Sequence, residues 1–247
     1  MRILSVDIES RPNIVYRWDL FDKSVTPISM IAEPGRMFCF AAKWVGEGAR
    51  AEFWSEFHNG RDEMLDMAYR LFDEADVLLH YNGRSFDEPK MNTEFIGAGF
   101  KPPSPYQRID LYRAVRSRFA FPSGKLDYVV QALDLGQKTK HAGFELWTKC
   151  MAGDPEAWAR MREYNLNDVE LNEQLYDAIL PWIPSLPSRG AELGGDVCPA
   201  CGSDDLRREG YAFTKTSKYQ RFVCRVCGTW SRSSHRDDHT EIVQVAA

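Results

Sequence analysis

Asp7 and Glu9 stand two residues apart at the polar end of an apolar run that begins at Arg2 and reaches Ile8. In a strand, a period of two puts both side chains on one face, where the acids repel unless a cation lies between them. Two solvated acids at an exposed strand end account for the pair equally well. Asp87 follows a second apolar run, Val77 to His80, across the segment YNGRSFDEP (Tyr81–Pro89) and opens the next helix. An acid there can reach a ligand beyond the carboxyl end of the strand, or simply complement the helix dipole. Asn82, in the same segment, also fits a turn. Tyr164 and Asp168 are four residues apart on a long helix and share a face; alone they read as a solvated stripe. Each signal is weak by itself. Their order along the chain, each on the element type that metal chemistry needs, makes them a set whose oxygen ligands suit hard cations such as Mg²⁺ or Mn²⁺.

The cysteines make a second constellation. Cys198-x-x-Cys201 and Cys224-x-x-Cys227 each carry a glycine after the second cysteine, Gly202 and Gly228, which lets a thiolate turn close under a metal. Four thiolates in two such pairs suit one structural, tetrahedral Zn²⁺. The interval between the pairs is slightly long for that pattern, and a β-hairpin over Tyr211–Val223 would accommodate it. A redox role is disfavoured by the presence of two pairs without a thioredoxin-like unit. His235 and His239 are spaced like ligands, but the cysteines already complete a site. Cys39 and Cys150 are expected to be small buried hydrophobes.

To place the carboxylates, the chain must supply a sheet with helices around it. Arg2–Ile8 reads as a buried strand; Met37–Val45 and Ala51–Trp54, parted by the turn at Gly46–Gly48, extend it into an antiparallel start. Arg61–Glu74 carries apolar residues at helical spacing (Met64, Leu65, Ala68, Leu71, Phe72), and Asp76–His80 reads as a central parallel strand. Phe86–Gly97 and Lys125–Leu133 are predicted helices, with Gly136 placed to end the second. Asp154 caps, and Pro155 opens, a helix that runs to Leu180 before Pro181 and Pro184. The Pro- and Gly-rich stretch that follows reads as a linker. The expected organisation is an α/β domain with a mixed sheet over residues 1–183, a linker at 184–195, a small metal module at 196–234 and a polar tail at 235–247.

With 44% hydrophobic and 27% charged residues, the 247-residue chain is expected to bury a core and is far from the disordered class. Its net charge of −5 argues against coating nucleic acid by electrostatics alone. The charge is uneven: Asp196–Arg236 holds eight basic residues against four acidic. Aromatic and basic side chains interleave there, among them Tyr211, Phe213, Lys218, Tyr219, Arg221 and Trp230. That mixture suits single-stranded nucleic acid; a protein partner for the module fits nearly as well. The opening MRILSVDIES lacks the long apolar segment of a secretory signal, and no stretch is long enough to span a bilayer. A cytoplasmic protein without a membrane partner is the expectation.

Taken together, Val6-Asp7-Ile8-Glu9, Tyr81-Asn82 with Phe86-Asp87 and Pro89, Lys125-Leu126-Asp127-Tyr128-Val129, and Tyr164 with Asp168 resemble the motifs of the tyrosine-bearing (DEDDy) 3′-to-5′ exonucleases. The likeness is greatest to the exonuclease domain of family-B DNA polymerases and covers about residues 2–180. It implies a ribonuclease H-like fold, a two-metal site in which Asp7, Glu9, Asp87 and Asp168 hold two Mg²⁺ or Mn²⁺, and Tyr164 beside the attacking water. It further implies removal of nucleoside 5′-monophosphates from the 3′ end of DNA, single-stranded by preference, by a free-standing enzyme of the kind bacteriophages carry, acting in replication or repair. Asn82, Phe86 and Lys125 become candidates to hold the terminal nucleotide. His80 and His141 are read as structural. The C-terminal module resembles a zinc ribbon. Two alternatives stay open: an exoribonuclease of the same superfamily, since the metal chemistry does not read the 2′-hydroxyl, and a non-catalytic nucleic-acid-binding protein.

Overall fold

In the computed structural model the described residues are all but 20–24, 47, 49, 141–142, 184 and 244–247, so His141 and Pro184 lie outside them. The opening run folds as β1 (Ile3–Ser10), extending past the apolar stretch through Glu9 and Ser10. After a small hairpin of β2 (Ile14–Val15) and β3 (Ile31–Glu33), β4 (Met37–Trp44) pairs antiparallel with β1, and β5 (Glu52–Ser55) with β4. This is the antiparallel start that the alternating runs predict. Helix α1 (Arg61–Glu74) buries Met64, Leu65, Ala68 and Phe72, and the chain returns as β6 (Val77–His80), parallel to β1. Then come α2 (Asp87–Gly97), β7 (Gln107–Asp110) parallel to β6, α3 (Leu111–Arg118), α4 (Leu126–Ala132), α5 (Phe144–Met151) and α6 (Pro155–Ile179).

The sheet order is β5-β4-β1-β6-β7, which makes β1 the central strand. Alternation along β1 gives its faces different tasks. Leu4, Val6 and Ile8 join Met64, Leu65, Ala68 and Phe72 of α1 and Met91 and Phe95 of α2 in one core cluster. Ser5, Asp7 and Glu9 point the other way. On that side Phe38 and Cys39 pack with Leu146 and Cys150 of α5 and Trp158, Met161 and Tyr164 of α6, and the buried Ser5 hydroxyl donates to the Val169 carbonyl at 3.3 Å. Cys39 and Cys150 are free and buried.

Two local features differ from the sequence reading. Helix α4 ends at Ala132, before Gly136, with Asp134 in the left-handed region (φ 55°). Gly136 serves a different purpose: a Cβ there would come within 3.1 Å of the Leu171 side chain. Beyond the expected elements stand β7, α3 and α5. The Asp110 carboxylate caps α3 by accepting from the Arg113 N–H at 3.3 Å. These elements are short, with too few residues to show a hydrophobic period.

The chain divides into two compact units, residues 2–175 and residues 176–247 with Met1. Within the second, part of the stretch expected to be an irregular linker forms α7 (Arg189–Leu193). The hairpin expected between the cysteine pairs is present as β8 (Leu206–Phe213) and β9 (Ser217–Cys224). β10 (Trp230–Arg232) and β11 (Asp238–His239) pair with β9, so the expected polar tail contributes two residues to a sheet. Among the described residues, no helix is long and apolar enough to cross a membrane.

Candidate metal centres

β1 and α6 bring Asp7, Glu9 and Asp168 together, with one carboxylate oxygen of each within 4.8 Å of the others. The helix is tied to the strand next to this cluster: Asn165, one turn before Val169, donates through Nδ2 to Asp7 Oδ2 at 2.6 Å and to the Asp7 carbonyl at 3.3 Å. Asn165 Nδ2 therefore fixes which way the Asp7 carboxylate faces. Trp147 of α5 hydrogen-bonds Glu9 and meets the Tyr164 ring edge-on at 6.0 Å between centroids.

Asp87 is not one of these three but lies within their field. It accepts from the Ile8 backbone N–H, and its charge raises the pKa of both Asp7 and Glu9. The loop that leads into α2 and Asp87 needs a glycine at position 83: a Cβ there would sit 2.5 Å from the His80 ring and 2.8 Å from Asp87 Oδ2. Gly83 also donates its N–H to His80 Nδ1 at 3.0 Å, and His80 Nε2 lies 3.0 Å from Glu88 Oε1. A ring nitrogen that accepts at Nδ1 carries its proton at Nε2, so His80 is a buried strut for the Asp87 loop. This agrees with its structural reading.

Electrostatics mark the cluster as strained without a cation. Burial first, then Asp168, Asp87 and Glu9, push the Asp7 pKa well above the carboxylate range. Burial and Asp168 raise Glu9 to about 8, and burial raises Asp87 to about 6 despite the opposing influence of His80. Carboxylates that resist ionisation this strongly are what a divalent ion relieves. One cation is already present. Lys138 Nζ lies 2.6 Å from Asp168 Oδ2 and donates to the Tyr164 hydroxyl at 3.1 Å. Burial disfavours the Lys138 charge, but Asp168 and Tyr164 outweigh it and raise its pKa. Burial, with Asp168 and Glu9, raises the Tyr164 pKa, so that hydroxyl keeps its proton.

The other candidates are not drawn into the cluster. Asn82 is exposed, adopts a left-handed φ of 65° and donates its backbone N–H to Asp110 Oδ1 at 3.0 Å. Phe86 is 47% exposed, with Lys90 Nζ 4.3 Å from its ring centroid. Lys125 is exposed at the N-cap of α4. The residues that sequence reasoning missed are Lys138, Asn165 and Trp147. Asn165 had a legible signal, lying three positions before Asp168 on the same helix. Lys138 had none, because it sits in an irregular segment.

In the second unit the Sγ atoms of Cys198, Cys201, Cys224 and Cys227 all lie within 4.8 Å of one another. The pairs Cys198–Cys227 and Cys201–Cys224 are 3.6 and 3.7 Å apart, close to the ~3.8 Å edge of a tetrahedron with Zn–S bonds of ~2.3 Å. Each turn is closed as its glycine suggested: the Gly202 and Gly228 N–H groups donate to the carbonyls of Cys198 and Cys224 at 2.9 and 3.0 Å, with φ of 82° and 79°. Although burial opposes ionisation, the backbone N–H groups of Cys227 and Val226 bring the Cys224 thiol down to about 7. The donor set and its spacing fit a structural zinc. His235 and His239 are exposed and outside the group.

A family model for the RNase H superfamily matches residues 32–180. No curated protein matches the chain. Among solved structures, the fold is similar to the family B DNA polymerase of the hyperthermophilic archaeon Pyrobaculum calidifontis, with a TM-score of 0.54 over 73% of this chain at 19% identity. The match spans only 24% of that polymerase. The likeness to family-B polymerases that the motifs imply is thus present in the fold, and the four-cysteine cluster supports the zinc-ribbon resemblance.

Proposed function

The chain belongs to the RNase H superfamily, and from that membership we propose that it is a metal-dependent 3′-to-5′ exonuclease that releases nucleoside 5′-monophosphates from DNA, single strands favoured. One observation carries the reading: Asp7, Glu9 and Asp168 converge from a central strand and a late helix, with the raised pKa of Asp87 beside them. These four would hold two Mg²⁺ or Mn²⁺ ions. Bound there, such ions lower the pKa of water and neutralise charge on the leaving 3′-oxygen.

The chain's own groups divide the remaining work. Tyr164, kept protonated by its raised pKa, orients the attacking water as a donor and acceptor and does not deprotonate it. Lys138 stays charged and holds Asp168 and Tyr164 in register. Asn165 fixes the rotamer of Asp7, so the acids meet their ions without reorganising. In the same reading Asn82, Phe86 and Lys125, all exposed, would hold the terminal nucleotide by hydrogen bonding, stacking and phosphate contact respectively. In this reading residues 1–183 are the catalytic domain, and 196–234 form a ribbon holding one Zn²⁺, reached through 184–195.

The test uses 5′-labelled single-stranded DNA, duplex DNA and RNA with Mg²⁺, Mn²⁺ or no added divalent ion. A ladder that shortens stepwise from the 3′ end only with metal, and on DNA before RNA, is the expected result. Preferential shortening of RNA would move the enzyme to the exoribonuclease reading. Binding with no cleavage in any condition would sink the proposal.

A further inference from the structure

The ribbon sheet sets two like charges against each other. Arg232 of β10 stands directly opposite Arg221 of β9, and like charges directly opposed across antiparallel strands repel. Among the described residues neither has a carboxylate partner. Arg221 Nε donates to the Glu209 carbonyl at 3.0 Å, and Arg232 Nη1 to the Ser233 carbonyl at 3.1 Å.

Register places more on the same face. Tyr219 lies two residues from Arg221 on β9, and Trp230 lies two from Arg232 on β10, so all four side chains share one side of the sheet. The guanidinium of Arg232 lies 4.0 Å from the Tyr219 ring centroid, and that of Arg221 lies 4.6 Å from the Trp230 centroid. Each guanidinium thus lies over an aromatic ring, while Trp230 is still 52% exposed. Planar surfaces at both positions, next to two unneutralised charges, match a chain of phosphates that carries flat bases. A protein partner would have to bring carboxylates at the same spacing, and would leave the stacked planes without a use.

We propose that this face binds a single-stranded polynucleotide, with Arg221 and Arg232 gripping neighbouring phosphates and the two ring–guanidinium stacks receiving bases. Binding here is independent of the nuclease reading.

The experiment measures affinity of the full-length chain, in an Asp168→Asn background without added divalent ions, for labelled 20-mers of thymidylate and uridylate and for a duplex, by fluorescence anisotropy across NaCl concentrations. Arg221→Ala/Arg232→Ala is expected to weaken single-strand binding at least tenfold. It should also flatten the slope of log affinity against log salt by about 1.4, at about 0.7 for each phosphate no longer neutralised. Arg221→Lys/Arg232→Lys keeps the slope but loses affinity, since lysine grips phosphate without offering a plane. Trp230→Ala weakens binding about fivefold or more, with the slope unchanged. Zinc content and melting temperature report on the fold; if the alanine pair loses zinc, the lysine pair and Trp230→Ala decide. Wild-type affinity and slope in variants that retain zinc would overturn the proposal and leave the face to a protein partner. A ribbon that fails this test leaves the metal-dependent ladder of the wild type untouched, so the two readings fail separately.

Discussion

The two candidate metal centres are built on opposite principles. The cysteine cluster is local: two short turns, each closed by a glycine N–H, supply all four sulfur atoms within a span of 30 residues, Cys198 to Cys227. The carboxylate cluster is assembled across the chain, with Asp7 and Glu9 on a central strand and Asp168 on a helix more than 150 residues away, while Asp87 opens α2 within their field. The difference lies in what holds each together without its ion. Apolar packing on both sides of β1 fixes the acids at close range against their mutual repulsion. The ribbon buries few large side chains, Cys198, Ala200 and Cys224 being its buried apolar positions. Its fold and its metal are therefore expected to be one equilibrium, whereas the acidic site should exist with or without cations.

Stripping metal from the cysteine cluster is expected to break the comparison most severely. A strong chelator, or Cys224→Ser, is expected to unfold residues 196–240 while residues 2–175 keep their structure, since structural zinc contributes on the order of 10 kcal/mol to such modules. Limited proteolysis followed by mass spectrometry would show cuts confined to the ribbon; cuts spread over both units would show that the ribbon's metal supports the whole chain. Next in size is Asp7→Asn, expected to lower the rate of the proposed exonuclease reaction by roughly 10³-fold or more with an unchanged circular dichroism spectrum. Retained turnover would remove Asp7 from the site.

Lys138 sharpens the contrast from the other side. Lys138→Met leaves Asp168, itself 2% exposed, without its lysine partner, and should destabilise the metal-free protein by about 3 kcal/mol or more. Added Mn²⁺ should restore part of that loss, as read from urea midpoints. The smallest effect concerns pH. A carboxyl whose folded pKa is raised binds its proton more tightly when folded, so stability falls as pH climbs from the unfolded pKa towards the folded one. For Glu9 that window runs from 4.5 to about 8. In buffer without divalent ions, Glu9→Gln should stabilise the chain at pH 8 by roughly 1–3 kcal/mol and leave it nearly unchanged at pH 4. Equal midpoints at pH 8 would show that burial does not strain this site.

Much of the first unit was legible because periodicity is a local property. The alternation of β1 placed Asp7 and Glu9 on one face, and the four-residue spacing in α6 did the same for Tyr164 and Asp168. Lys138 was not, because residues 133–140 follow no period and its partners are 26 and 30 positions away. Trp147 was hidden for a related reason: α5 is eight residues long, too short to announce itself. In the ribbon the cysteines and their glycines announced a metal, yet the opposition of Arg221 and Arg232 depends on strand register.

What the amino-acid order determined by itself is therefore the chemistry of the parts: acids at the ends of apolar runs, thiols in paired turns, a tyrosine one turn before an aspartate. These follow from spacing within one element, where geometry is set by backbone periods of two and 3.6 residues. Only the tertiary structure decided which parts meet. It alone set the distance between Asp168 and β1, the lysine that stands between Asp168 and Tyr164, and the arginines that face each other across two strands. Such meetings arise from packing a sheet against its helices and from strand register, and no period in the sequence encodes them.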